Sequence, residues 1–168
     1  VLFCPSDPND KARVGANGPE HYPLCYGLSV GRYLVYDPNT GADGEAAFAP
    51  NALIKGGNFT DGLSNTLAMS EVKAYTPRFH DATLPAAMPT SPTAVSGSVS
   101  GGAWSATSGH TEWVCGRAIH TGFTTTFAPN TKVPHVNGGV TYDIDASSSR
   151  EGVSPTAITY GVITSRSY

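Results

Sequence analysis

Residues 101–134 read GGAWSATSGHTEWVCGRAIHTGFTTTFAPNTKVP, and the fold class turns on how this stretch is understood. Both tryptophans of the chain, Trp104 and Trp113, fall here, together with His110, His120 and Cys115. Within HTGFTTTF, Phe123, Thr125 and Phe127 alternate with threonines, which puts two rings on one face of a half-buried strand over about residues 120–127. Ala128-Pro129-Asn130-Thr131 ends that strand in a turn. Trp104, Trp113, Phe123 and Phe127 are accordingly the expected structural core of the region. A β-rich reading of this stretch carries the rest of the chain with it.

Composition agrees. The 168 residues contain 19 Gly and 13 Pro but only 14% charged residues, so helix is disfavoured and turns are abundant. The fold class expected is mainly β, with a short-stranded antiparallel sheet and long Gly/Pro-rich loops. One domain over residues 1–168 suits the length. A net charge of −3 with singly scattered Lys and Arg argues against a nucleic-acid surface, because the sequence offers no basic cluster to neutralise a row of phosphates. No apolar run reaches the roughly 20 residues of a membrane span, and no signal peptide opens the chain.

Working outward, YPLCYGLSVGRYLVY at residues 22–36 alternates aromatic and aliphatic residues around Gly27 and Gly31. Strands are expected at about residues 25–29 and 33–36. Asp37, Asn39 and Asp43 stand in a turn; they resemble pieces of a calcium loop but lack the glutamate at the twelfth position that the full pattern needs, so a plain turn is the expectation. Asp61, Gly62, Ser64 and Asn65 form a cluster of cap and turn residues, able to start a helical turn that runs into a strand before Glu71. Glu71 is the one carboxylate in an apolar segment and calls for a buried arginine or amide partner. Residues 76–102, with four prolines, read as a loop-rich surface insertion.

Three cysteines permit one disulfide. Cys4 and Cys25 flank a short polar loop, and a bridge between them would contribute about 3 kcal/mol; two reduced structural thiols are the alternative. His110, Cys115, His120 and His135 supply zinc-ligand types, but their spacing matches no compact structural-zinc pattern, and no metal or cofactor is expected. Cys115 with His110, His120 or His135 as base is the sharpest catalytic reading; it requires an electropositive pocket that spacing does not supply, and no GxSxG elbow is present. No catalytic residue is therefore assigned.

Four blocks carry a family resemblance: FCPSDP at residues 3–8, TDGLSNTL at 60–67 with Glu71 behind it, GHTEWV at 109–114 and TGFTTTFAPNT at 121–131. They resemble the prepilin-type family abundant in planctomycetes, which carries a large domain of unknown function and a C-terminal H-X9-DG motif. SRSY at residues 165–168 is similar to the lead-in to that motif. The resemblance implies a cleavable leader and an N-terminal helix before the part seen here and a histidine of the terminal motif after it, and it leads one to expect an acidic residue where Cys115 stands. The resemblance implies a pilin-like globular head, α+β once the helix is added. It also implies a non-enzymatic subunit of an extracellular or envelope-attached filament or pseudopilus, partnered by copies of itself or by envelope proteins and meeting the membrane only through that helix. An adaptor on the outer face of a membrane complex is the alternative. A carbohydrate-binding module would use Trp104 and Trp113 as stacking platforms, the competing reading being that both lie in the core.

Overall fold

A computed structural model describes residues 3–149 and 154–167. Tyr168, the last residue of the segment compared with the terminal motif, lies outside them. The elements in order are β1 (Arg13–Gly15), β2 (Gly18–His21), β3 (Tyr26–Gly31), β4 (Leu34–Tyr36), two single 3-10 turns (Gly56–Asn58 and Leu63–Asn65), β5 (Met69–Glu71), β6 (Thr76–His80), α1 (Pro92–Ser98), β7 (Ala103–Gly109), α2 (Ala118–Thr121), β8 (Gly122–Thr124), β9 (Pro134–Asn137), β10 (Val140–Asp143), β11 (Asp145–Ser147) and β12 (Thr159–Val162). The class is mainly β, as composition predicts.

Two sheets organise the chain. The larger has the order β4-β12-β11-β6-β7, antiparallel except for the parallel pair β11 and β6. The smaller has the order β5-β3-β8, with β3 antiparallel to β5 and parallel to β8. Two separate ribbons, β1 with β2 and β9 with β10, complete the pairing. Gly138 and Gly139, both at positive φ (58° and 80°), make the two-residue turn of the second ribbon, a conformation that suits the twist of a tight hairpin. Gly31 and Gly44 bridge where two backbone segments cross, and a Cβ on either would collide with main chain.

Burial in β3 alternates strictly, from half-buried Tyr26 through buried Gly27 to buried Gly31, the period-2 pattern of a strand with a core face. One apolar cluster packs Phe79, Leu84, Val95, Val133, Ile144 and Val162 against the larger sheet; Trp104 and Phe127 lean on it half-buried. A second joins Leu24, Val35, Val72, Ile119, Phe123 and Ile163 between the two sheets. Phe123 is 1% exposed, a burial that stabilises by up to about 3 kcal/mol.

Three expectations are corrected. Residues 76–102 are not a surface insertion: β6 lies inside the larger sheet, and Phe79, Leu84, Val95 and Val99 from this stretch are buried. Its prolines punctuate the chain without removing it from the core, and Pro92 begins α1 directly after Ser91, whose Oγ accepts from Ala94 N at 3.2 Å. The strand expected at residues 120–127 is shorter: α2 occupies Ala118–Thr121 and β8 ends at Thr124. Thr124 explains the stop, because its hydroxyl takes the amide of Ile163 at 3.0 Å and turns the chain toward β12. Trp113 is not in the core; it is 59% exposed.

Candidate functional site

The feature that stands out chemically is a layer of ionisable side chains buried where α2 meets β11 and the segment that follows β7 at His110. At its base, Asp145 is fully buried and accepts from Arg166 Nη1 at 2.7 Å and Thr164 N at 3.0 Å. Arg166 also grips Asp143 with two bonds, Nε to Oδ2 at 3.2 Å and Nη2 to Oδ1 at 3.0 Å. Burial alone would lower the Arg166 pKa; Asp145 and Asp143 outweigh it and hold the guanidinium more firmly charged than usual.

Above this base, His110 is fully buried at a positive φ of 54°, donating from Nδ1 to the carbonyl of His120 at 3.0 Å while Nε2 faces Asp145 Oδ2 at 3.8 Å. His120 Nε2 lies 3.6 Å from Glu112 Oε1, and Glu112 is paired with Arg13. Burial, followed by the positive charges of Arg78, His110, Arg117 and Arg13, pushes the His120 pKa down to about 3, so its imidazole is neutral at physiological pH. Burial lowers His110 as well, against the pull of Asp145. Arg78 is 6% exposed on β6, and burial takes its pKa down to about 10.

Among the described residues, the buried side-chain atoms without a hydrogen-bond partner are Thr76 Oγ1, Arg78 Nε and Nη1, Ser108 Oγ, His110 Nε2, His120 Nδ1 and Asp145 Oδ2. All of them come from this layer or from the strand ends beside it. Such concentration is costly to the fold and marks the place where polar chemistry has been kept inside the protein.

Sequence reasoning reached part of this. His110, Cys115 and His120 were singled out, but His135 is elsewhere: its ring packs edge-on against Phe79 at 5.0 Å and near Trp104. Glu112, Arg78, Asp145 and Arg166 were missed. A signal existed for the two partners of Arg166, since Asp143 and Asp145 flank Ile144 at the spacing that puts both on one face.

The other expected sites have plainer roles. Cys4 and Cys25 are free and form no bridge. The Cys25 thiol donates to Asp7 Oδ2 at 3.2 Å, and the Cys4 thiol reaches Glu71 Oε1 at 3.7 Å. Each sulfur is thus directed at a carboxylate, which corrects the expected disulfide. Burial pushes the Cys25 pKa up to about 12, keeping it an inert thiol. Glu71 finds the Cys4 thiol as its side-chain contact in place of the arginine or amide cluster expected, and its main-chain carbonyl accepts from Arg166 N at 2.9 Å. Asp61, Gly62, Ser64 and Asn65 do build a turn, but no side chain caps its start; Asn65 Nδ2 instead donates back to the carbonyl of Asp61 at 2.6 Å. The Asp37 carboxylate is taken up by Asn39 N and Thr40 Oγ1, both at 2.9 Å, and these bonds hold its pKa below the usual range.

Fold and site together define a mainly-β domain with an ionic layer inside it. The chain matches the family described as Protein of unknown function (DUF1559) over residues 1–154, and it belongs to that family. Neither a curated protein nor a solved structure matches it. Among the described residues no helix is long and apolar enough to cross a membrane.

Proposed function

We propose that this chain is a non-enzymatic structural subunit, the globular head of a pilin-like filament or pseudopilus at the cell envelope or outside it. The observation that carries the reading is an exposed apolar groove on residues 47–68. Leu53 is 85% exposed and Leu63 66%, with Phe48 beside them, and exposed Leu67 lines the adjoining cleft together with Leu53. Apolar side chains gathered in this way mark surfaces that bury themselves against a partner. Next to the groove, β5 is an edge strand of the smaller sheet and carries exposed Met69. Arg166 N already bonds this strand at Glu71 O, so the apolar face itself is what suits repeated packing of like heads, and closed or helical arrays of one subunit are the common outcome of such surfaces.

The test is sedimentation of the purified protein across concentration, with electron microscopy of the envelope fraction. Self-association lost in a Leu53→Glu, Leu63→Glu double variant that retains its far-ultraviolet circular dichroism is the expected result. A monodisperse protein with no filament and no envelope partner sinks the proposal. Identical neighbours identify a filament; unlike neighbours identify the alternative, an adaptor on a membrane complex.

Exposure of Trp113 favours one second reading, a carbohydrate-binding surface. Its ring stands beside exposed Val114, while its amide is anchored to Tyr22 O at 3.0 Å. Quenching or shift of tryptophan emission on adding polysaccharide, absent in Trp113→Ala, supports it; an unchanged spectrum removes it.

A further inference from the structure

We propose that Glu112, Cys115 and His120 form a site for a thiophilic divalent cation, of which zinc fits best. One ligand atom from each residue lies within 4.8 Å of the other two. Among the described residues, this is the group of three or more carboxylate, thiol and imidazole side chains that converges in this way.

The geometry is close to what the ion requires. Zinc bonds of about 2.0–2.3 Å in a tetrahedron place neighbouring ligand atoms roughly 3.3–3.8 Å apart. His120 Nε2 and Glu112 Oε1 already stand 3.6 Å apart, too far for a hydrogen bond and right for two ligands of one ion. The second observation is the state of His120 itself. Its side chain is almost wholly buried with Nε2 turned toward Glu112, while Nδ1, on the other side of the ring, has no hydrogen-bond partner, so no bond from that nitrogen fixes the ring as it stands. Glu112 and Cys115 are half-buried and Gly116 is exposed, which leaves a side open for a water as fourth ligand.

The charges around the cluster select the kind of ion. Arg13 is paired with Glu112, and Arg78 and Arg117 lie near enough to act on His120. A dication that binds a thiolate displaces the thiol proton, so the local charge rises by one unit and not by two. Calcium or magnesium gains nothing from sulfur and meets the full repulsion, so the site discriminates against hard, oxygen-seeking cations. The three ligands span nine residues as Glu-x2-Cys-x4-His, a local chelate closed by the turn into α2.

The experiment is titration of the chelator-treated full chain with cobalt(II) as a spectroscopic substitute, followed by displacement with zinc. One cobalt per chain, with a thiolate-to-cobalt charge-transfer band and visible ligand-field bands that zinc abolishes, is the expected result. Cys115→Ser removes the charge-transfer band. Cys115→Ser and Glu112→Gln each weaken zinc by more than the 10–100-fold typical of losing an outer-shell partner. Both positions are half-buried, so circular dichroism is expected to show intact folds; if one variant misfolds, the other decides. No band in the wild type, or a band that persists unchanged in Cys115→Ser and so belongs to Cys4 or Cys25, overturns the proposal.

Discussion

Arg166 Nη1 lies 2.7 Å from Asp145 Oδ1 with both side chains buried, and this pair ties the end of the chain to the middle of the larger sheet. The backbone of Arg166 extends the tie to the smaller sheet by donating to Glu71 O at 2.9 Å. Arg166 therefore clamps both sheets.

Breaking that clamp from one side leaves the other charge stranded. Arg166→Met and Asp145→Ala are each expected to cost about 3–5 kcal/mol, because the remaining buried ion has lost its counter-charge. Urea denaturation monitored by circular dichroism measures it. A loss below about 1 kcal/mol would show that solvent reaches the pair.

The depressed histidines make the fold acid-sensitive. His120 has a folded pKa of about 3 against an ordinary value of 6.5, and His110 shifts in the same direction. Below the unfolded value the unfolded chain binds more protons than the folded one, so stability is complete above about pH 6.5 and falls as pH drops toward 3. His120 contributes up to about 1.4 kcal/mol per pH unit in that window, and His110 adds a loss in the same direction. Denaturation midpoints between pH 7 and pH 4 test this, and His120→Gln should flatten the slope if the variant folds.

Two aromatic substitutions should behave in opposite ways. Phe123→Ala removes a ring 1% exposed and is expected to cost about 3–5 kcal/mol. Trp113→Ala removes one 59% exposed and should change stability by no more than about 0.5 kcal/mol. Equal losses would contradict the burial of one or the exposure of the other.

Thiol chemistry separates the three cysteines. Cys4 and Cys25 are buried, and Cys25 is held near pKa 12 with its proton directed at Asp7, whereas Cys115 is half-buried. Alkylation of the native protein should modify Cys115 first, and full denaturation should expose all three. A native mass two hydrogen atoms lighter, with a single thiol titrating after denaturation, would show a Cys4–Cys25 bridge instead.

Much of the fold is legible locally. Tyr26–Gly31 and Leu34–Tyr36 fall within a residue or two of where aromatic and aliphatic alternation places them, and the turn at Leu63–Asn65 followed by Met69–Glu71 reproduces the cap cluster and the apolar run behind it. The site is only partly legible: His110, Cys115 and His120 declare themselves by type, while Glu112 looks like one more surface carboxylate until the turn at Trp113 and Val114 folds it back over them.

The sequence by itself determined a β-rich chain, the turns that divide it and the family to which it belongs, because these depend on side-chain shape, backbone preference and short-range pattern. Tertiary structure alone decided that β6 lies inside the sheet, that Trp113 faces water, that Cys4 and Cys25 point at carboxylates, and that Arg78 and Asp145 meet across the pair of β6 and β11. Those outcomes depend on which distant strand lies alongside which. Shifting a strand by one residue exchanges its two faces, so the partner strand, and not the local alternation, settles which side chains are buried.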